Sequence, residues 1–112
     1  MRMTTFWHIA HPAWIPGQPL RSRNALTADG IDIPWLWDEA DEGTDCDVVC
    51  LFPDTDQGRM EAQWLSDDRP GYTILRVELP DDTNMGRAEW EGYPTIDEVP
   101  GECLTVVERV GT

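Results

Sequence analysis

The pattern of apolar and polar positions divides the chain into short strands and short helices joined by proline- and glycine-rich turns. Thr4–Ala10 (TTFWHIA) is β-branched and aromatic, which predicts a first strand. His11-Pro12 ends it, because proline removes a ladder donor. Pro12, Pro16, Gly17 and Pro19 then predict a rigid, non-helical loop. Ser22–Ala28 reads as a short helix, with Ser22 as N-cap and Gly30 where a C-terminal glycine belongs. Within Ile31–Thr44 a second short helix can follow Pro34 and end at Gly43. Asp47–Phe52 (DVVCLF) predicts a second strand. Val48, Cys50 and Phe52 lie on one of its faces and Val49 and Leu51 on the other, so a central strand covered on both sides is expected.

Pro53–Ser66 predicts a helix capped by Asp54 or Thr55, with Met60, Trp64 and Leu65 as its apolar stripe. Gly58 inside it costs up to ~1 kcal/mol against alanine. A turn at Arg69-Pro70-Gly71 leads to the clearest strand, Tyr72–Leu79 (YTILRVEL). Its Leu75, Val77 and Leu79 share one face, and Arg76 and Glu78 the other. Pro80–Glu91 is polar and irregular, Pro94–Gly101 is extended, and Cys103–Val110 is the last strand. The expected class is α+β: one compact domain over residues 1–112, with a small mixed or antiparallel sheet of four or more strands and two or three short helices.

Charge narrows the partners. The chain has 22 acidic residues against eight basic ones, a formal net charge of −14. All eight are arginine. Such a surface repels polyanions, so neither nucleic acid nor an anionic membrane is expected as a ligand. Apolar residues at 40% and six tryptophans supply a small core and argue against disorder. The charge is uneven. No basic residue lies between Arg23 and Arg59, an interval that holds ten acidic residues from Asp29 to Asp56. This block is either a solvated face or a surface that docks a basic protein partner, with Trp35 and Trp37 as aromatic anchors.

The three cysteines, Cys46, Cys50 and Cys103, are too few and odd in number for a disulfide scaffold. Neither CDVVC nor DEADEGTD has the ligand spacing of a zinc or calcium site, and no metal is expected. The first ten residues lack the apolar core of a signal peptide, and no apolar run approaches the ~18 residues of a membrane span. A cytoplasmic protein is the expectation.

Several pieces in order carry a resemblance. FWHIAHPAWIPGQPL places His8 in a first strand and a Pro-Gly-x-x-Leu element after it. DVVCLFPDTDQGRMEAQWL, YTILRVELPDD and YPTIDEVPGECLTVVERV follow. This series resembles small ADP-ribosyltransferase-fold proteins of the rifampin ADP-ribosyltransferase type, over nearly the whole chain. The resemblance implies an ADP-ribosyltransferase-like fold that binds NAD, cleaves the bond between nicotinamide and ribose, and transfers ADP-ribose to an acceptor. In that family a histidine on the first strand orients the adenosine-side ribose, which maps to His8. An aromatic residue on the second strand stacks on nicotinamide. Cys50 stands where the family has tyrosine, and Phe52 on the same expected face is the substitute ring. An acidic residue stabilises the oxocarbenium-like transition state, which maps to Glu98 before the last strand, with Asp81 or Asp82 after the third strand as the other candidates. Arg21 and Arg23 flank Ser22 and are candidates for the pyrophosphate. The family's Gly-Thr after the histidine is replaced here by Ile9-Ala10.

Two functions are therefore expected to compete. One is an NAD-dependent transferase using Glu98 or Asp82 with His8, Arg21, Arg23, Phe52 and Cys50. The other is a non-catalytic acidic protein, a nucleic-acid mimic or phage-type inhibitor, docking a basic partner through residues 29–56. An enzyme should gather His8, Phe52 and an acid around one cleft. A binding protein should turn its carboxylates outward.

Overall fold

The computed structural model describes residues 2–31, 48–67, 69–87 and 93–110. The expected helix after Pro34, the Trp35 and Trp37 anchors, Cys46 and the acidic residues from Asp32 to Asp47 lie outside them. The described chain is α+β, with antiparallel strand pairing throughout and two helices. In chain order the elements are β1 (Met3–Ala10), β2 (Leu20–Arg21), α1 (Arg23–Ala28), β3 (Val49–Cys50), β4 (Phe52–Pro53) and α2 (Asp56–Asp67). They continue with β5 (Thr73–Pro80), β6 (Gly86–Arg87), β7 (Pro94–Ile96), β8 (Glu98–Val99), a 3-10 turn at Gly101–Cys103 and β9 (Leu104–Arg109).

The main sheet has the order β4-β1-β5-β9. β1 and β5 pair over their full lengths, from Met3 opposite Pro80 to Ala10 opposite Thr73. Side chains alternate between faces, and both faces of this central pair are covered. On one face Phe6 and Ala10 meet Leu75, Val77 and Leu79, and the ribbons β2–β8 and β3–β7–β6 close over them with Leu20, Val49, Leu51 and Val99. On the other, Ile9 and Ile74, opposite one another, pack with Tyr72 under Ala62 of α2. The layers are thus α2, the main sheet, and the two small ribbons.

Local chemistry explains the elements. Ser22 caps α1 as expected, its Oγ accepting from Ala25 N–H at 3.1 Å. Gly30 follows at φ +82°, a conformation that glycine alone adopts without strain. Thr55 caps α2, its Oγ1 accepting from Gly58 N–H at 3.0 Å.

Two expectations are corrected. The Asp47–Phe52 strand is not a central one. It splits at Leu51: Val49–Cys50 pairs with β7, Leu51 N–H donates to the Pro94 carbonyl at 2.9 Å, and Phe52–Pro53 pairs with β1 at the edge of the main sheet. Its two apolar faces arise because the segment crosses between sheets. The stripe of α2 is also different. Of the expected stripe only Leu65 turns inward, half-buried against the core; the helix otherwise buries Gly58, Ala62 and Ser66, while Met60 and Trp64 are 64% and 72% exposed. Small side chains win the inner face because the helix lies close: a Cβ on Gly58 would fall 2.0 Å from the Pro53 carbonyl oxygen.

Candidate functional site

His8 sits on the core-facing side of β1, opposite Leu75. Its Nδ1 lies 2.9 Å from the Cys50 carbonyl oxygen. A carbonyl only accepts, so Nδ1 carries the proton and donates. Burial pushes the imidazole pKa from 6.5 down to about 4, the Cys50 carbonyl opposes that, and the charges of His11 and Arg69 add to it. The ring is neutral at pH 7. Cys50 is half-buried on β3, and its backbone pairs with Thr95.

Phe52 lies opposite Trp7 across β4 and β1. Neighbours along a strand point to opposite faces, so Phe52 and His8 lie on opposite sides of the main sheet. The Phe52 ring meets Tyr93 edge-on, with centroids 5.9 Å apart. Tyr93 Oη in turn donates to Glu61 Oε2 on α2 at 2.6 Å. This ring belongs to the layer beneath α2, packed with Ile9, Ala62 and Ile74.

The structure does bring Arg21 and Glu98 together. They face one another across β2 and β8, with Arg21 Nε 3.9 Å from Glu98 Oε1. Arg21 also ion-pairs with Asp29, so its charge already faces two carboxylates. Arg23 opens α1, but its side chain lies outside the described part of the structure. Asp82 is exposed in the turn after β5. That turn lies beside the start of β1, where Asp81 N–H donates to the Arg2 carbonyl at 3.1 Å and its carboxylate accepts from the Thr4 hydroxyl. His8 is five residues further along β1, roughly 16 Å away at the usual strand rise. A shallow, open depression at this end is lined by Arg2, Thr4, Phe6, Asp54 and Asp81. Neither His8 nor Glu98 lines it.

A further cluster forms where β1 meets the turn before α2. Asp54, in the bend just before the Thr55 cap of α2, accepts from Trp7 Nε1–H at 2.9 Å and from Arg59 at 2.7 Å, while Asp56 accepts from Arg59 at 2.6 Å. The Trp7 bond and then the Arg59 bond hold the Asp54 carboxyl below the usual carboxylate range. The spacing of Asp56 and Arg59, three apart on a helix, already permits their pair. A missed feature is the outward pair Met60 and Trp64, which sequence periodicity alone assigns to the core.

Among the described residues, no group of three His, Cys, Asp or Glu side chains is placed to hold a metal ion, and no helix is long and apolar enough to cross a membrane. No protein family, curated protein or solved structure matches the chain.

Proposed function

We propose that the chain is a non-catalytic binding domain that docks a basic protein partner through its acidic surface. The observation that carries this reading is the separation of His8 from Phe52. One is tied to the Cys50 carbonyl on one face of the main sheet, and the other is packed against Tyr93 on the opposite face. A nicotinamide site needs both around one cleft. The outward carboxylates add support: every described aspartate and glutamate is exposed or half-buried, at a net charge of −14. Such a field steers cationic partners and speeds their encounter at low salt.

The test is affinity capture of partners at rising salt, with wild type and with a charge reversal across Asp38, Glu39, Asp41, Glu42 and Asp45. Captured proteins are expected to be basic and to be lost both at high salt and with the reversal. Partners indifferent to both changes would rule the reading out.

The second reading is an ADP-ribosyltransferase-like fold that uses NAD, in a cytoplasmic setting. It is favoured by one observation: β2 and β8 bring two of its expected site residues, Arg21 and Glu98, face to face, with the Arg21 charge shared between Glu98 and Asp29. Calorimetry separates the two. Heat of NAD binding at millimolar concentration, lost in Glu98→Gln and His8→Ala, would favour the NAD reading over the docking one, and release of nicotinamide would show the reaction.

A further inference from the structure

We propose that the outward face of α2, carried by Met60 and Trp64, is the docking surface for an amphipathic, cationic segment of a protein partner. This rests on the binding reading above and adds an apolar anchor to its acidic surface.

The helix is inverted relative to its pattern. Gly58, Ala62 and Ser66, at i, i+4 and i+8, are buried against the sheet. At 100° per residue, Met60 and Trp64 fall opposite that stripe. They are one turn apart on the same face, 64% and 72% exposed. Leaving a tryptophan outside while the inner face uses glycine, alanine and serine costs burial that the same helix could have had. Tryptophan is also the side chain that most often anchors a protein interface.

Charge identifies the occupant. Asp56 and Asp67 flank the pair at the two ends of the helix, both exposed, with Asp56 reaching solvent completely. The one cation of α2, Arg59, is already held by Asp54 and Asp56. Gln57 and Gln63 line the borders, each hydrogen-bonded within the helix, to Glu61 and Asp67. The face is thus an apolar centre with an anionic rim. Its complement is a segment with an apolar stripe between lysines or arginines, laid along the helix so that its aliphatic side chains cover Trp64 and Met60 while its cations meet Asp56 and Asp67.

The test is fluorescence-polarisation binding of two labelled peptides made of leucine and lysine. One is patterned as an amphipathic helix, and the other is a scrambled isomer with no apolar face. The patterned peptide is expected to bind wild type more tightly than the isomer, and to lose at least about tenfold in affinity with Trp64→Ala and severalfold with Met60→Ala. Both variants are expected to keep the wild-type circular dichroism spectrum and melting temperature, because both side chains are exposed. Asp56→Asn with Asp67→Asn should flatten the salt dependence. Equal, salt-sensitive binding of both peptides to wild type and to Trp64→Ala would overturn the α2 assignment and leave the acidic docking reading standing. No binding of either peptide at low salt would overturn both.

Discussion

Gly58 is a residue whose worth reverses between the isolated helix and the folded chain. In a free helix alanine is better by up to ~1 kcal/mol. Here a Cβ would meet the Pro53 carbonyl oxygen at 2.0 Å, and that atom is backbone. Gly58→Ala is therefore expected to destabilise the fold by about 1–3 kcal/mol, the usual range for overpacking, measured by urea unfolding. A stabilised variant would refute the close approach. His8 makes the second residue-scale case. Its pKa falls from 6.5 to about 4 on folding, so the unfolded chain binds the proton first as the pH drops. Stability should then decline from about pH 6.5 down to about pH 4, by at most about 3 kcal/mol and by less for a ring that keeps some exposure. His8→Asn should shrink the stability difference between pH 7 and pH 5. An imidazole proton resonance that titrates near 6.5 in the folded protein would contradict the half-buried, neutral ring.

At the scale of elements, α2 shows what a sequence can and cannot tell. The choice between Asp54 and Thr55 as its cap falls to Thr55, and its position follows from spacing and capping chemistry, as do β1, α1, β5 and β9. Its orientation does not. Periodicity finds a stripe of large apolar residues, but the inner face was chosen by closeness, which only the Gly58 contact with β4 reveals. The split of the DVVCLF segment was hidden for a related reason: two apolar faces look alike whether a strand is central or passes between sheets. Of the site residues, the Arg21–Glu98 and His8–Cys50 pairings depend on which strands meet, and no local pattern encodes that.

The same helix carries a testable clip. Trp7 Nε1–H and Arg59 converge on Asp54. Trp7→Phe keeps the ring and removes the donor, so it is expected to cost about 0.5–1.5 kcal/mol, the modest end for a bond to an exposed carboxylate. It should also raise the Asp54 pKa towards its ordinary value, since the Trp7 bond is the largest cause of its depression. For a depressed carboxyl the stabilisation is present above the unfolded pKa and is lost as the pH falls. The wild type should therefore lose more stability than Trp7→Phe on acidification below about pH 4. Equal losses would mean that Trp7 does not hold the carboxylate.

For the whole molecule the decisive quantity is the net charge of −14 on 112 residues, with no lysine to offset it. No described carboxylate is buried, and several meet arginines at the surface: Asp29 and Glu98 at Arg21, Asp54 and Asp56 at Arg59, Glu78 at Arg76. Surface pairs of this kind contribute little, about 0–1 kcal/mol each. Repulsion among the remaining acids opposes the compact state over distances that salt controls, since the screening length falls from about 10 Å at 0.1 M to about 3 Å at 1 M. Salt should weaken both the attractive pairs and the repulsion, and with 22 acids against eight bases the repulsion is the larger sum. The melting temperature should accordingly rise between low salt and about 0.5 M sodium chloride. The rise should be smaller in a variant with Asp81, Asp82, Asp97 and Glu102, all exposed, changed to their amides. The same salt should weaken binding to a cationic partner. Opposite salt responses of stability and binding, measured by calorimetry on one preparation, would tie both to the acidic surface. A melting temperature that falls with salt would show instead that the ion pairs at Arg21, Arg59 and Arg76 outweigh the repulsion.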